Sequence, residues 1–179
     1  DRRTGWEREY PGLPVLDRGH DRHTRLHLAG ERGGRRVRCL DYRFTTGGGK
    51  NRKVHRRSLV VVDVGAPVIR LAIRPEHLLA RLGEFLGLDD LDFESAAFSR
   101  RFHVSSADRK WAYAVIHPRM MEELMRLPDG VTVVLGLGEI AVRRDGALQA
   151  RHCHQDLRAA ERILDLVPDD VLAELRGET

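Results

Sequence analysis

The chain has 179 residues, 41% of them hydrophobic and 32% charged, with 31 Lys+Arg against 27 Asp+Glu and a formal net charge of +4. That balance excludes a disordered chain, which would lack the apolar content for a core, and a helical membrane bundle, which would need more. No stretch approaches the ~20 apolar residues of a transmembrane helix; the best pure run is Leu59–Val62, and Asp63 ends it.

At this length a single domain is expected, large enough to bury roughly 70% of its unfolded surface. The first residue is Asp1 rather than Met, with no signal-peptide pattern after it, so the sequence reads as processed or as a piece of a longer protein. Cys39 and Cys153 are the only cysteines, and their spacing marks no metal site. Two free thiols in a reducing compartment are the expectation, which favours a cytosolic setting.

Charge is uneven along the chain. Residues 1–60 carry sixteen Lys+Arg and seven Asp+Glu, a net of +9, whereas residues 61–179 carry fifteen and twenty, a net of −5. Twenty-eight of the cations are arginine, and the lysines are Lys50, Lys53 and Lys110. The guanidinium fork suits phosphate, but arginines spread along the whole chain fit a GC-rich genome better.

Residues 1–25 are polar, with Gly5, Pro11, Gly12, Pro14 and Gly19, and read as an irregular lead-in. Residues 26–179 read as one domain. Leu26–Ala29 is a short strand, followed by a turn at Glu31-Arg32-Gly33-Gly34. Val37–Thr45 is β-rich, and its apolar phase slips between Cys39 and Leu40, which predicts a bulge. After the glycine-rich loop Thr46–Arg52, Lys53–Val64 contains the run Leu59–Val62, a strand buried on both faces. Val68–Arg74 alternates, so Ile69, Leu71 and Ile73 should face helices across a half-buried strand. The first half is thus an antiparallel meander.

Pro75 suits a first helical residue, with Leu78, Leu79, Leu82, Phe85 and Leu86 on one face before Gly87. Leu91–Glu94 and Arg100–Val104 read as strands. Ser105-x-x-Asp108 opens a helix in the manner of a capping box, with Trp111, Ala112, Val115 and Ile116 at helical spacing. Pro118 starts another helix, carrying Met121, Leu124 and Met125. Val131–Leu135 and Glu139–Arg143 are strands, with a further hairpin turn at Asp145-Gly146. Asp156–Val167 and a short segment after Pro168 complete the helices. The class is α+β, a largely antiparallel sheet with helices packed on one face.

Few residues carry chemistry at a recognisable spacing. In Arg151-His152-Cys153-His154-Gln155-Asp156, a strand would put His152 and His154 on one side and Cys153 on the other. His152 and His154 are then a weak metal pair, short of the three or four ligands zinc requires, so neither metal nor cofactor is expected. His20, His23 and His27 read as solvated histidines of a loop or edge strand. Asp63 ends a buried strand without a partner nearby in sequence. The stretch Thr45–Arg57 fails the phosphate-loop pattern, because Phe44 stands where its first Gly belongs and Asn51 where its Ser/Thr belongs. It still places Lys50, Arg52, Lys53, Arg56 and Arg57 at one end of a hairpin, fit for anionic headgroups at about 1 kcal/mol per cation. A nucleic-acid backbone is a weaker reading, since no aromatic residues are interleaved for stacking.

The stretch Phe93–Leu127 contains Glu94, Ser95, Phe98, Arg100, Phe102, Val104, Asp108 and Ala112, then Pro118, Arg119, Met120, Met121, Glu122 and Leu124. This E-S-x-x-F-x-R-x-F-x-V pattern followed by P-R-M-M-E-x-L resembles a family of uncharacterised, mostly actinobacterial membrane proteins. An earlier block with Gly33 or Gly34, Arg35, Asp41 and Tyr42 is similar to the same family's first strand pair. The resemblance covers residues 25–166 and implies a transmembrane anchor ahead of this domain, with no assigned activity. Phe98, Phe102 and Val104 read as one sheet face, so most of the pattern is scaffold. Arg100, Arg101 and Arg119 are the cations that scaffold chemistry leaves over.

The expected function is an interaction module at the cytoplasmic face of a membrane, meeting an anionic bilayer or a protein partner. The competing readings are a hydrolase or transferase with a non-contiguous His/Asp/Arg site, and a nucleic-acid module using the basic first third. No nucleophile–base or metal spacing supports an enzyme.

Overall fold

The computed structural model describes residues 19–77 and 88–178. Eight strands form one antiparallel sheet: β1 (His20–Arg32), β2 (Arg35–Thr46), β3 (Lys53–Asp63), β4 (Leu71–Pro75), β5 (Asp89–Leu91), β6 (Phe102–Ser106), β7 (Thr132–Gly136) and β8 (Glu139–Asp145). Their order across the sheet is β1-β2-β3-β8-β7-β4-β6-β5. Among the described residues the α-helices are α1 (Ala96–Arg101), α2 (Arg109–Val115), α3 (Pro118–Met125), α4 (Ala150–Leu164) and α5 (Asp169–Arg176). The class is α+β, as expected, with helices packed on the sheet.

The run Leu59–Val62 lies in β3 between β2 and β8, each residue at most 1% exposed. Val60 and Val62 join a cluster with Phe98, Trp111, Met120, Ile163 and Leu172 of the helices, whereas Leu59 and Val61 join Leu40, Tyr42, Phe44 and Ala141 on the opposite face. Leu71 and Ile73 lie in the helix-side cluster, with Ile69 packed against it. Fully burying such aliphatic side chains stabilises by about 1.5–3 kcal/mol each.

Several expectations are corrected. No bulge interrupts β2 against β3: the register runs unbroken from Val37↔Val62 to Thr46↔Lys53. The apparent phase slip arises because Cys39 faces the helices and Leu40 the other cluster, both faces being buried at that point. The irregularities fall in β1, at His20/His23 and Thr24/Leu26. Residues 20–25 of the expected lead-in belong to β1; the lead-in's first 18 residues, and the apolar face expected from Leu78 to Leu86, lie outside the described residues. Pro75 ends β4 instead of opening a helix. Arg100 and Arg101 end α1, so Phe98 reaches the core from a helix and Phe102 and Val104 from β6. Asp108, not Ser105, caps α2 by accepting the Trp111 N–H at 2.8 Å. After Gly146 the chain enters α4 instead of turning into a hairpin partner. Pro118 does open α3.

The helix α4 starts six residues earlier than the periodicity predicts, at Ala150. Its extra turn carries Cys153, which is disulfide-bonded to Cys39 of β2 with a Cα–Cα distance of 6.7 Å. The two-free-thiol expectation is therefore overturned. Two ion pairs reinforce the seating of α4. Arg144 of β8 donates to both carboxylate oxygens of buried Asp156 at 2.8–2.9 Å, and Arg32 of β1 meets Glu161 at 2.7 Å.

At one end of β3, Asp63 stands opposite Glu139 of β8. Burial pushes the Asp63 carboxyl up, but hydrogen bonds from Arg36 and the Gly65 N–H, with the charges of Arg36 and Arg38, outweigh it and hold the group below the usual carboxylate range. Glu139 is raised, because its burial outweighs its ion pair with Arg38.

Two predictions follow from these contacts. The disulfide closes 114 residues of chain, which in a chain-entropy account stabilises by up to about 4–5 kcal/mol. Urea denaturation with and without dithiothreitol is expected to show a loss of that order on reduction, matched by Cys39→Ser/Cys153→Ser. Thiol titration of the denatured, unreduced protein is expected to find no free thiol. The two carboxylates should act oppositely on pH dependence. Asp63, lowered on folding, contributes stability at neutral pH that is lost as pH falls through its titration. Glu139, raised on folding, loses stability as pH rises from the ordinary carboxylate range through its own titration. Melting temperatures between pH 3 and 7 should show Asp63→Asn destabilised at neutral pH with a shallower acid loss. Glu139→Gln should be no less stable than the parent at neutral pH.

Candidate functional site

The β2–β3 hairpin ends in a built loop rather than a loose one. Gly47 and Gly49 adopt positive φ (69° and 52°), and Gly49–Asn51 makes a single 3-10 turn closed by Asn51 N–H to the Gly48 carbonyl at 3.0 Å. A Cβ at Gly47 would collide with the Asn51 carbonyl, so that position requires glycine. Lys50, Arg52 and Lys53 are exposed at this tip. Lys50 and Lys53 make no ion pair with the described residues, while Arg52 meets Asp21 at 3.2 Å. Val54, 50% exposed, sits beside them.

The other two cations of the run are not part of the tip. Arg56 is bound through its Nε to buried Asp41 at 2.8 Å, with a second contact between the same side chains, and this hydrogen-bonded carboxylate holds its pKa above the already high arginine value. Arg57 is 2% exposed, lies 4.8 Å over the Phe44 ring and meets Asp145 of β8 at 3.4 Å. The Phe44 ring stacks in turn on His55. Five cations at the tip thus reduce to three.

Arg101 also has structural employment. It donates to the carbonyls of Met125 (2.6 Å) and Leu127, where α3 ends with unpaired carbonyls, and reaches Asp129 at 3.3 Å. Arg100 and Arg119 are exposed on α1 and α3. His152 and His154 sit in the first turns of α4, two positions apart on a helix and so on different sides of it. Among the described residues no group of three or more His, Cys, Asp or Glu is placed to hold a metal ion. His20, His23 and His27 lie along edge strand β1.

A second surface feature was not singled out by sequence. Between β5–α1, α2 and α3 lies an open groove of about 1090 Å³. On α3, Met120 and Leu124 point into the core, fully buried, and Met121 and Met125, four residues apart, line the groove half-buried. Phe93 and Phe98 meet edge-on at 5.6 Å, and Tyr113, 44% exposed, donates its hydroxyl to the Asp92 carbonyl at 3.1 Å. Exposed Asp92 and Glu94 stand on one wall and exposed Glu122 on the other. Arg126, also at the groove, is paired with Glu123 at 3.0 Å. His117 at its edge is a helix cap, accepting the Met120 N–H at Nδ1 and donating from Nε2 to the Leu166 carbonyl. The signal in the sequence was the Met121/Met125 pair, displaced by one position from the core pair Met120/Leu124.

Stability should separate the five cations of residues 50–57. Arg57→Ala removes a buried guanidinium that packs on Phe44, while its half-exposed partner Asp145 can be solvated, so the expected cost is about 2–3 kcal/mol. Arg56→Ala strands the buried Asp41 carboxylate and should cost about 2 kcal/mol. Lys50→Ser and Lys53→Ser should stay within about 0.5 kcal/mol. Chemical denaturation of the four variants checks this order.

No protein-family model matches the chain, and neither does any curated protein sequence. Among solved structures, the fold is similar to the crystal structure of the mycobacterial trehalose monomycolate transport factor A, TtfA. The TM-score is 0.66 at 14% identity, over 88% of this chain and 79% of that one. At this identity the likeness is one of fold.

Proposed function

We propose that the chain is an interaction module whose β2–β3 tip contacts an anionic membrane surface. The observation that carries this is the tip itself: Lys50, Arg52 and Lys53 exposed on a closed glycine turn, with exposed Val54 beside them. Cations attract lipid headgroups, and a small apolar side chain among them suits the headgroup–acyl boundary. Residues 46–54 contain no aromatic side chain, so the stacking that single-stranded nucleic acid uses is missing from the tip. The fold likeness to a transport factor for a mycolate lipid agrees with work at a membrane, as does the resemblance of Phe93–Leu127 to a membrane-anchored family.

Three cations at about 1 kcal/mol each set a ceiling of about 3 kcal/mol, lowered by the Arg52–Asp21 pair. That is too weak for stable binding alone. It is enough to orient a domain that an upstream anchor holds near the bilayer, because tethering supplies the effective concentration. No helix among the described residues is long and apolar enough to cross a membrane, so any such anchor would belong to sequence outside them. With Cys39 and Cys153 joined, the free-thiol argument for the cytoplasmic face falls away, and the contact is proposed without a side. Co-sedimentation with phosphatidylglycerol-rich vesicles is expected to show binding at low salt that fades by physiological ionic strength. Lys50→Ser/Arg52→Ser/Lys53→Ser should abolish it. Binding that survives this triple change, or a preference for single-stranded DNA over vesicles, would overturn the reading.

A further inference from the structure

The groove between β5–α1, α2 and α3 combines an apolar floor, packed on the core from beneath and open to solvent above, with a charged rim. Its floor presents Phe93, Met121 and Met125 half-buried, with the Tyr113 ring exposed at the side. A solvated floor of this kind leaves apolar area unburied. Methionines adapt to varied apolar side chains and recur on surfaces that accept helices. The rim is net anionic: Asp92 and Glu94 come from the β5–α1 side and Glu122 from α3, against one exposed arginine, Arg126, whose partner Glu123 is shared with Arg162. None of Asp92, Glu94 or Glu122 makes an ion pair with a described residue. The groove therefore offers an apolar floor within a rim of three carboxylates and one arginine.

We infer that this groove docks a cationic amphipathic helix of a protein partner, its apolar stripe on Phe93, Met121 and Met125 and its flanking Lys or Arg side chains against Asp92, Glu94 and Glu122. The charge pattern selects this occupant. A helix with an apolar stripe at i, i+3, i+4 and i+7 and cations on both flanks matches floor and walls at once. A lipid acyl chain would use the floor and leave the three carboxylates without a role, and an anionic ligand would be repelled by them. The inference is independent of the hairpin tip, which lies on β2–β3 at the other end of the strand order.

The test is fluorescence anisotropy with a labelled 14-residue Leu/Lys amphipathic peptide, its Leu/Glu counterpart and a sequence-scrambled Leu/Lys control. The Leu/Lys helix is expected to bind the parent protein at least about tenfold more tightly than either control. The exposed triple variant Asp92→Lys/Glu94→Lys/Glu122→Lys should weaken it about tenfold, the size expected when several surface charge pairs are lost together, and should improve binding of the Leu/Glu helix. Met121→Ala/Met125→Ala should weaken the Leu/Lys helix without creating affinity for Leu/Glu. Glu31→Lys, exposed on β1 at the opposite end of the strand order, should bind within twofold of the parent. Lys50→Ser/Arg52→Ser/Lys53→Ser should also bind as the parent does, so failure at the tip and failure at the groove are separable. Melting temperatures verify that each variant is folded. Equal affinity for the scrambled peptide, affinity unchanged by the triple reversal, or uptake of a fluorescent fatty acid in place of the peptide would overturn the assignment.

Discussion

A strand buried on both faces has to satisfy every polar group it carries from its neighbours, and β3 imposes this on the whole sheet. Its four central residues are at most 1% exposed, so the charges that follow or precede them are drawn into pairs. Asp63 takes Arg36 and the Gly65 N–H, Arg56 takes Asp41, and Arg57 takes Asp145 and the face of Phe44. Left unpaired, the buried Asp41 carboxylate or the buried Arg57 guanidinium would carry a desolvation cost of several kcal/mol. The neighbouring strands β2 and β8 are consequently chosen for complementary residues as much as for apolar ones. Where burial ends, between His55 and Val54, the demand for partners ends too, and the cations from Lys53 back to Lys50 are released to solvent.

This boundary explains what the sequence could and could not convey about the tip. Five cations in eight residues look alike in one dimension. The run Leu59–Val62 marked the central strand correctly, because four consecutive β-branched or aliphatic residues have no solvent face to offer. Telling Arg56 and Arg57 apart from the tip cations required knowing that Asp41 lies diagonally across from Arg56 on β2 and Asp145 opposite Arg57 on β8, a matter of register with residues 15 and 88 positions away in sequence. The helix-facing side of Leu71 and Ile73 was legible, as was Pro118 at the start of α3, but the strand is not half-buried: β4 begins only at Leu71, and Ala72 and Arg74 on its other face are buried as well. The misreadings were also local. Arg100 and Arg101 look like strand residues by their neighbours Phe98 and Phe102, but Ser95 accepts the Phe98 N–H and caps a short helix first. The start of α4 was missed because its first turn is polar on every side, and only its contact with β2 shows what that turn does.

That contact is covalent, and it has consequences for how the sheet and its helical layer are held. The helix α4 is tied to three strands by one covalent bond and two ion pairs: Cys39–Cys153 to β2, Arg144–Asp156 to β8 and Arg32–Glu161 to β1. The first two act where both partners are largely shielded from water, and the third is half exposed and correspondingly weak. The long sequence separation makes the covalent tie most effective against the unfolded chain. It also accounts for why two cysteines with no motif between them look inert on the page: their relationship exists only after β2 and α4 are packed.

The charge asymmetry along the chain becomes an asymmetry in space because of strand order. β1, β2 and β3, which hold most of the net +9 of residues 1–60, remain contiguous at one end of the sheet, and every strand of residues 61–179 follows them from β8 onward. The cationic tip therefore belongs to one end of the sheet, while the groove with Asp92, Glu94 and Glu122 is built from residues flanking β5 and β6 at the other. Surfaces of opposite sign at the two ends repel each other's ligands: a polyanionic surface is disfavoured at the groove, and a cationic helix is disfavoured at the tip. On the two proposals above, specificity at each site would be set partly by what it excludes, and the two contacts could be made at once without competing. A module organised in this way would hold one face toward an anionic layer while keeping its helical layer open to a basic partner segment.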